Sequence, residues 1–285
     1  MPIGALKRVL VAIDLTPRGH RAFRRGLQLA LGSGADLRLI YVSSDELPRQ
    51  LQLANETFAQ EELAAHAARA REEGIPTVAC AVLKGNTSEQ ITRAAIDDAA
   101  DLIVVGPHRK SSFAQDLLGT TAGKILRSGQ YPVLVARGED GSKYASVVVA
   151  VDFSPASRCA LSIALEWFST AHITVLSAYG KVRRIASSDE LAGETRRLAV
   201  QGLLSEVAAE LGLPGAAASA VEPLAVYGWP EDAIDDFIAT RKPSLVVIGT
   251  HGRTSIEQAV CGSVAEGVMG SASCDVLAVP PSIPT

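Results

Sequence analysis

Two short glycine patterns in this chain have the spacing of a backbone loop that can bind phosphate. The second copy reads GTHG from Gly249 and, after nine further residues, GS from Gly262. The first copy reads GPHR from Gly106 and, after the same nine-residue gap, GT from Gly119, so that Arg109 replaces the second glycine. A glycine after a strand or at a helix start lets the backbone approach a phosphate closely, because no Cβ intervenes. The patterns predict an anion site in the second copy and an altered site in the first.

The residues around the second pattern suit a nucleotide. Gly262 and Ser263 open a predicted helix, whose first N–H groups lack intrahelical partners and whose dipole favours anions. The side chains of His251 and Arg253 can offer charge or a hydrogen bond to a phosphate tail. Asp152, at the end of a predicted strand, can accept a hydrogen bond from a ribose hydroxyl or a base N–H.

The first copy departs from this chemistry at two positions. Pro107 removes an N–H donor, and Arg109 adds bulk where close approach is needed. We therefore expect this half to bind no nucleotide, or to bind one weakly. The alternatives are that the Arg109 guanidinium compensates as a phosphate ligand, fills the site from within, or receives another anion. The remaining residues of the pattern are Gly106, His108, Gly119, Thr120 and Asp14.

The patterns sit in a repeated order of strands and helices. The runs Lys7–Asp14 and Ser146–Asp152 are rich in β-branched residues and predict strands buried on both faces. Thr16-Pro17 and Ser154-Pro155 follow them and predict helix starts, with the hydroxyl as N-cap. The order βαβαβαβαβ is predicted twice, which indicates an α/β fold with parallel sheets and helices on both faces. In such sheets, ligands bind beyond the carboxyl ends of the strands.

Composition narrows the possible functions. The chain has 285 residues, a net charge of −4 and 47% apolar residues, and we predict two domains, 1–140 and 145–285, joined by a polar stretch. The absence of a basic excess argues against nucleic acid as a partner. No apolar run reaches transmembrane length, so we expect no membrane partner and a cytoplasmic, reduced protein.

Several side chains that could do chemistry are expected to be structural instead. The cysteines lack metal-ligand spacing and are expected to be small buried apolar residues: Cys80, Cys159, Cys261 and Cys274. Three histidines are expected at the surface or at helix edges, and no metal ligand is predicted: His20, His66 and His172. Four arginines on the first helix are expected to form a solvated face: Arg18, Arg21, Arg24 and Arg25.

With these patterns, the chain resembles the universal stress protein family in its tandem two-domain form. Nucleotide-binding members of that family carry the pattern G-2x-G-9x-G-[ST], which the second copy matches in full. They also carry a VAxD first strand, which Val149–Asp152 and Val11–Asp14 match. The resemblance covers essentially the whole chain and implies two Rossmann-like domains, each with a five-stranded parallel sheet.

The resemblance also implies ligands and an assembly. It implies binding of ATP or a related adenine nucleotide in the second domain, while the need for Mg²⁺ stays open. Since relatives pair domains through their last strands, Pro132–Ala136 and Asp275–Val279 are expected to pair within the chain as a pseudo-dimer, and a homodimer of chains stays open. Ala265 stands where some ATP-binding relatives have a hydroxyl residue, so one phosphate contact is expected to be missing. The residues expected to contact the nucleotide are Ala150, Val151, Asp152, Ala178, Gly249, His251, Gly252, Arg253, Gly262, Ser263 and Val264.

No catalytic residue is assigned from the sequence. A binding protein of the stress response is the leading hypothesis, because the phosphate-binding pattern comes without convergent catalytic groups. The alternatives are a slow ATP hydrolase or nucleotidyl-transfer enzyme, with His251 or Asp152 positioning water or metal, and a scaffold that binds no nucleotide.

Overall fold

The structure is a computed structural model of the whole chain, and it describes residues 5–43, 45, 48–107, 120–138, 141–180, 189–214, 220–250 and 261–282. The chain divides into two compact units, Ala5–Lys143 and Tyr144–Ile283. Each unit is an α/β fold, as the sequence predicts.

The N-terminal unit alternates strands and helices along its described residues. Its strands are β1 (Arg8–Ala12), β2 (Asp36–Ser43), β3 (Val78–Lys84), β4 (Leu102–Val105) and β5 (Val133–Val135). Its helices are α1 (Pro17–Ser33), α2 (Arg49–Glu72), α3 (Thr87–Asp97) and α4 (Thr120–Arg127). The strands pair in parallel in the order β3-β2-β1-β4-β5.

The C-terminal unit repeats this arrangement. Its strands are β6 (Ser146–Ala150), β7 (His172–Tyr179), β8 (Glu222–Tyr227), β9 (Leu245–Gly249) and β10 (Asp275–Val279). Its helices are α5 (Pro155–Trp167), α6 (Asp189–Glu210), α7 (Pro230–Arg241) and α8 (Ser263–Ser271). The strands pair in parallel in the order β8-β7-β6-β9-β10.

The central strands are buried on both faces, which explains their continuous apolar sequences. Val147, Val148 and Val149 are successive residues of β6, point alternately to opposite faces, and are all 0% exposed. Helices must therefore cover both faces of the sheet. In each unit the strand order reverses beside the first strand, between β1 and β4 and between β6 and β9. A crevice at the carboxyl ends of these strands is where this class of sheet binds ligands.

Two of the four arginines of α1, Arg21 and Arg25, do not belong to the solvated face that the sequence predicts. Arg25 is only 4% exposed, and its guanidinium donates to the carbonyl of Ser142 and to the side chain of Gln28. Arg21 donates to the carbonyl of Arg137 at 3.1 Å. Both contacts tie α1 to the segment that follows β5. The expectation was wrong for these two arginines because their carbonyl partners lie more than a hundred positions away along the chain. Helical periodicity cannot reveal such partners. In the part of the chain that the structure describes, none of the helices combines the length and the hydropathy of a membrane span.

Candidate functional site

A cavity of about 200 Å³ lies at the carboxyl ends of β6, β7 and β9 in the C-terminal unit. The strand ends contribute Ala150, Ala178 and Gly249, and the start of α8 contributes its first turn. The cavity brings together eight of the eleven residues predicted to contact the nucleotide: Ala150, Val151, Asp152, Ala178, Gly249, Gly262, Ser263 and Val264. The other three, His251, Gly252 and Arg253, lie outside the described residues.

The end of β6 carries the one carboxylate among the described residues of this cavity. Asp152 lies two residues after the end of β6, and its Oδ1 accepts a hydrogen bond from the Ser154 amide at 3.0 Å. Ser154 is the N-cap of α5, as predicted, and its hydroxyl accepts from the Ser157 amide at 3.2 Å. These local bonds hold the Asp152 carboxylate at the edge of the cavity. A carboxylate in this position can accept a hydrogen bond from a hydroxyl or amino group of a ligand.

The backbone of α5 explains why β9 ends in a glycine, Gly249. A Cβ at this position would lie 2.7 Å from the Ala156 carbonyl carbon and 2.7 Å from the Ser157 nitrogen. Both are backbone atoms of α5, so a side chain would push the helix away from the strand. The first glycine of the pattern therefore allows close packing of α5 on β9, which is a structural role in addition to the predicted contact with ligand.

The two ends of the glycine pattern are joined by backbone hydrogen bonds. The Gly262 amide donates to the Thr250 carbonyl at 2.7 Å, and the Thr250 amide donates to the Val279 carbonyl of β10 at 2.8 Å. Gly262 is the N-cap of α8 without a side-chain capping bond. Ser263 and Val264 thus open the helix where they line the cavity, and the first N–H groups of a helix lack intrahelical partners. This end of the cavity favours a negative charge.

Arg196 is a cavity residue that the sequence analysis missed. It lies on α6, its Nε donates to the Ser177 hydroxyl at 2.9 Å, and its guanidinium lies 4.5 Å from the centre of the Phe153 ring. The Ser177 hydroxyl in turn donates to the Val151 carbonyl at 2.6 Å. This chain of contacts holds a guanidinium at the cavity. No spacing signal could reveal it, since the partners lie on other elements of the fold.

The remainder of the cavity wall is largely apolar and was also not predicted. Side chains from β7, β9 and α7 supply Leu176, Ile248, Pro230 and Ile234. Ala265, at which the resemblance implies a missing phosphate contact, also lines the cavity. The site therefore combines an apolar wall with one carboxylate, one guanidinium and a helix start among its described residues, which is the usual composition of a small-molecule site.

The corresponding cavity of the N-terminal unit is larger, about 500 Å³. Its lining combines apolar residues with polar ones from the ends of the strands and the starts of the helices, among them Asp14, Thr16, Tyr41 and Thr87. The pKa of Tyr41 is raised by burial and by the neighbouring charges of Glu56 and Asp14. The prediction that this half binds nucleotide weakly or not at all depends on Arg109, which lies outside the described residues, so it stays a prediction.

The cysteines differ in their surroundings. Burial raises the pKa of Cys159 to about 11, and Cys261 is 2% exposed. Cys80 is exposed, contrary to the expectation for all four cysteines, although its Sγ lies 3.5 Å from the Leu63 carbonyl oxygen. Burial is also the main cause that raises the pKa of the Cys80 thiol. Raised thiol pKa values leave little thiolate at neutral pH and do not suit nucleophilic cysteines.

Sequence and structure comparisons identify the family. The sequence profile of the universal stress protein family matches twice, over residues 5–137 and 143–280. A universal stress protein of Mycolicibacterium smegmatis is 26% identical over 306 aligned residues, which cover 96% of this chain and 97% of that protein. One from Mycobacterium tuberculosis strain H37Rv is 26% identical over 205 residues, covering 65% of this chain and 64% of that protein.

The fold agrees with this assignment. The crystal structure of a universal stress protein from Archaeoglobus fulgidus superposes with a TM-score of 0.74 at 18% identity, covering 96% of this chain and 98% of that one. The chain thus belongs to the universal stress protein family, in its tandem two-domain form, and the sequence-based assignment is confirmed.

Proposed function

We propose that this protein binds ATP or a related adenine nucleotide in its C-terminal domain, as a binding protein of the stress response in the cytoplasm. The observation that carries the proposal is the cavity at the ends of β6, β7 and β9, where eight of the residues expected from the glycine and VAxD patterns converge. Its helix start and the Arg196 guanidinium favour an anionic ligand.

The proposed arrangement assigns one part of the nucleotide to each part of the cavity. Ala150, Val151 and Ala178 lie beside apolar side chains and would contact the base, while Asp152 would accept from the ribose. The phosphates would lie against Gly262, Ser263 and Val264 at the start of α8. A volume of about 200 Å³ is below the roughly 300–1,000 Å³ of sites that bury a whole drug-sized ligand. We therefore expect the base and ribose to be enclosed and the phosphate tail to extend towards the glycine pattern.

Binding without efficient turnover is favoured over catalysis. Among the described cavity residues, Asp152 is the one carboxylate, and metal-assisted phosphoryl chemistry needs groups that hold a metal and orient water. Phosphate release by purified protein, abolished in His251→Ala, would instead support the hydrolase hypothesis.

The test is equilibrium binding of labelled ATP to the wild type and to Gly252→Arg, which gives the second pattern the arginine of the first. A hydrogen bond to a charged group is worth about 1.5–3 kcal/mol, so losing phosphate contacts should weaken binding at least about ten-fold. Gly202→Arg is the matched control, because a Cβ at Gly202 of α6 meets nothing within 4 Å. It should bind ATP as the wild type does. Unchanged affinity of Gly252→Arg would refute the site assignment.

A further inference from the structure

Three side chains with metal-binding atoms converge on the N-terminal unit, away from the cavity at its strand ends. His20 belongs to the first turns of α1, and Glu62 and His66 lie four residues apart on one face of α2. One ligand atom of each residue lies within 4.8 Å of those of the other two. Sequence spacing does not connect the three residues, because β2 and much of α2 separate His20 from the other two.

The ring of His66 is held in place by its neighbours. It stacks on Phe23 with the ring centres 4.1 Å apart and the planes 25° from parallel, and it meets His20 edge to face at 5.1 Å. Phe23 is 1% exposed, so it provides a fixed surface from the core. The imidazole is therefore oriented before any ligand arrives, which reduces the entropy that binding must overcome.

We propose that His20, Glu62 and His66 form a binding site for a divalent transition-metal ion such as Zn²⁺, joining α1 to α2. Two imidazoles and one carboxylate are a known three-ligand set for zinc, with a fourth position left to solvent. Tetrahedral ligands about 2.1 Å from zinc lie about 3.4 Å from one another. Since the ligand atoms lie within 4.8 Å of one another, the cluster needs to close by at most about 1.4 Å, and His20 is exposed and can rotate towards the other two ligands.

The first measurement is titration of the chelator-treated full chain with Zn²⁺ alone, in competition with a chromophoric chelator at neutral pH. The wild type should bind one ion at this site. Each of the variants His66→Asn, His20→Asn and Glu62→Gln should lose this binding. Outer-shell partners alone change metal affinity about 10–100-fold, so removing a direct ligand should weaken binding by at least about ten-fold. His172→Asn, an exposed histidine of β7, is the matched control and should bind Zn²⁺ like the wild type.

Thiols are the main competitors for the ion, and Cys80 lies on β3 beside α2. Cys80→Ser should keep the affinity of the wild type, and bound Co²⁺ should show no thiolate charge-transfer band. A thiolate band, or retention of full affinity in all three ligand variants, would overturn the proposal. So would the absence of saturable Zn²⁺ binding by the wild type. If His66→Asn fails to fold, His20→Asn decides the question, because His20 is exposed and its replacement leaves the core intact.

Discussion

Residue roles in this protein depend on partners that are distant along the chain. Arg25 and Ser142 are 117 positions apart, and Arg196 lies on a different element from both Ser177 and Phe153. Helical periodicity reveals which face a residue occupies, but not what the fold places against it. The residues of the glycine pattern could be predicted because their spacing is local, whereas Arg196 could not.

The pKa of Cys159 leads to a prediction of its reactivity. Since the thiolate is the reactive form and burial raises the pKa to about 11, about one thiol in a thousand is ionised at pH 8. Alkylation of Cys159 should therefore be about a hundredfold slower than that of an ordinary thiol at pH 8 and should rise about tenfold per pH unit up to pH 10. Rates for each cysteine can be followed by peptide mass spectrometry.

The control for this prediction is the same chain unfolded in denaturant, where all four cysteines should react at similar rates. Fast, pH-independent modification of Cys159 in the folded chain would show that its partial burial does not raise the pKa of the thiol.

At the scale of the elements, the sequence was most informative where local signals agree. The β-branched runs at β1 and β6, the Ser154-Pro155 helix start and the glycines before α8 all coincide with observed strand or helix ends. By contrast, the contribution of α6 and α7 to the cavity wall depends on how those helices pack against the sheet. Side-chain periodicity alone does not determine that packing.

The contact between Gly249 and α5 can be tested with Gly249→Ala. The added Cβ would lie 2.7 Å from backbone atoms of Ala156 and Ser157, so α5 must shift from β9. Overpacking of this kind costs about 1–3 kcal/mol, and urea unfolding should show a loss of stability of that size.

Gly267→Ala provides the matched control. A Cβ at Gly267, inside α8, meets nothing within 4 Å, so the change should leave stability unchanged or raise it by up to about 1 kcal/mol. Equal stability of the two variants would contradict the proposed role of Gly249 in packing.

At the scale of the whole molecule, duplication has produced two cavities at equivalent strand ends with different linings. The C-terminal cavity is smaller and contains a guanidinium, while the N-terminal one is larger and its described lining includes Asp14 and Tyr41. The sequence predicts an asymmetry from Arg109, and the described linings also differ, since Arg196 lines the C-terminal cavity and Tyr41 the N-terminal one. Native mass spectrometry of the intact chain should therefore find one adenine nucleotide per chain, and two would show that both halves bind.

The domain limits 1–140 and 145–285 and the pairing of the last strands stay predictions.

The segment that follows β5, at the end of the N-terminal unit, should be protected by α1. Arg21 and Arg25 donate to its carbonyl groups, and the Arg25 side chain is buried. Arg25→Ala removes the guanidinium that donates to the Ser142 carbonyl, at a cost of about 1–3 kcal/mol. Tryptic cleavage after the exposed Lys143 should therefore become about ten-fold faster. Arg93→Ala, whose side chain is 76% exposed on α3, removes the same charge without touching the segment and should be cleaved like the wild type. Equal cleavage of the Arg25 variant and this control would show that α1 does not hold the segment in place.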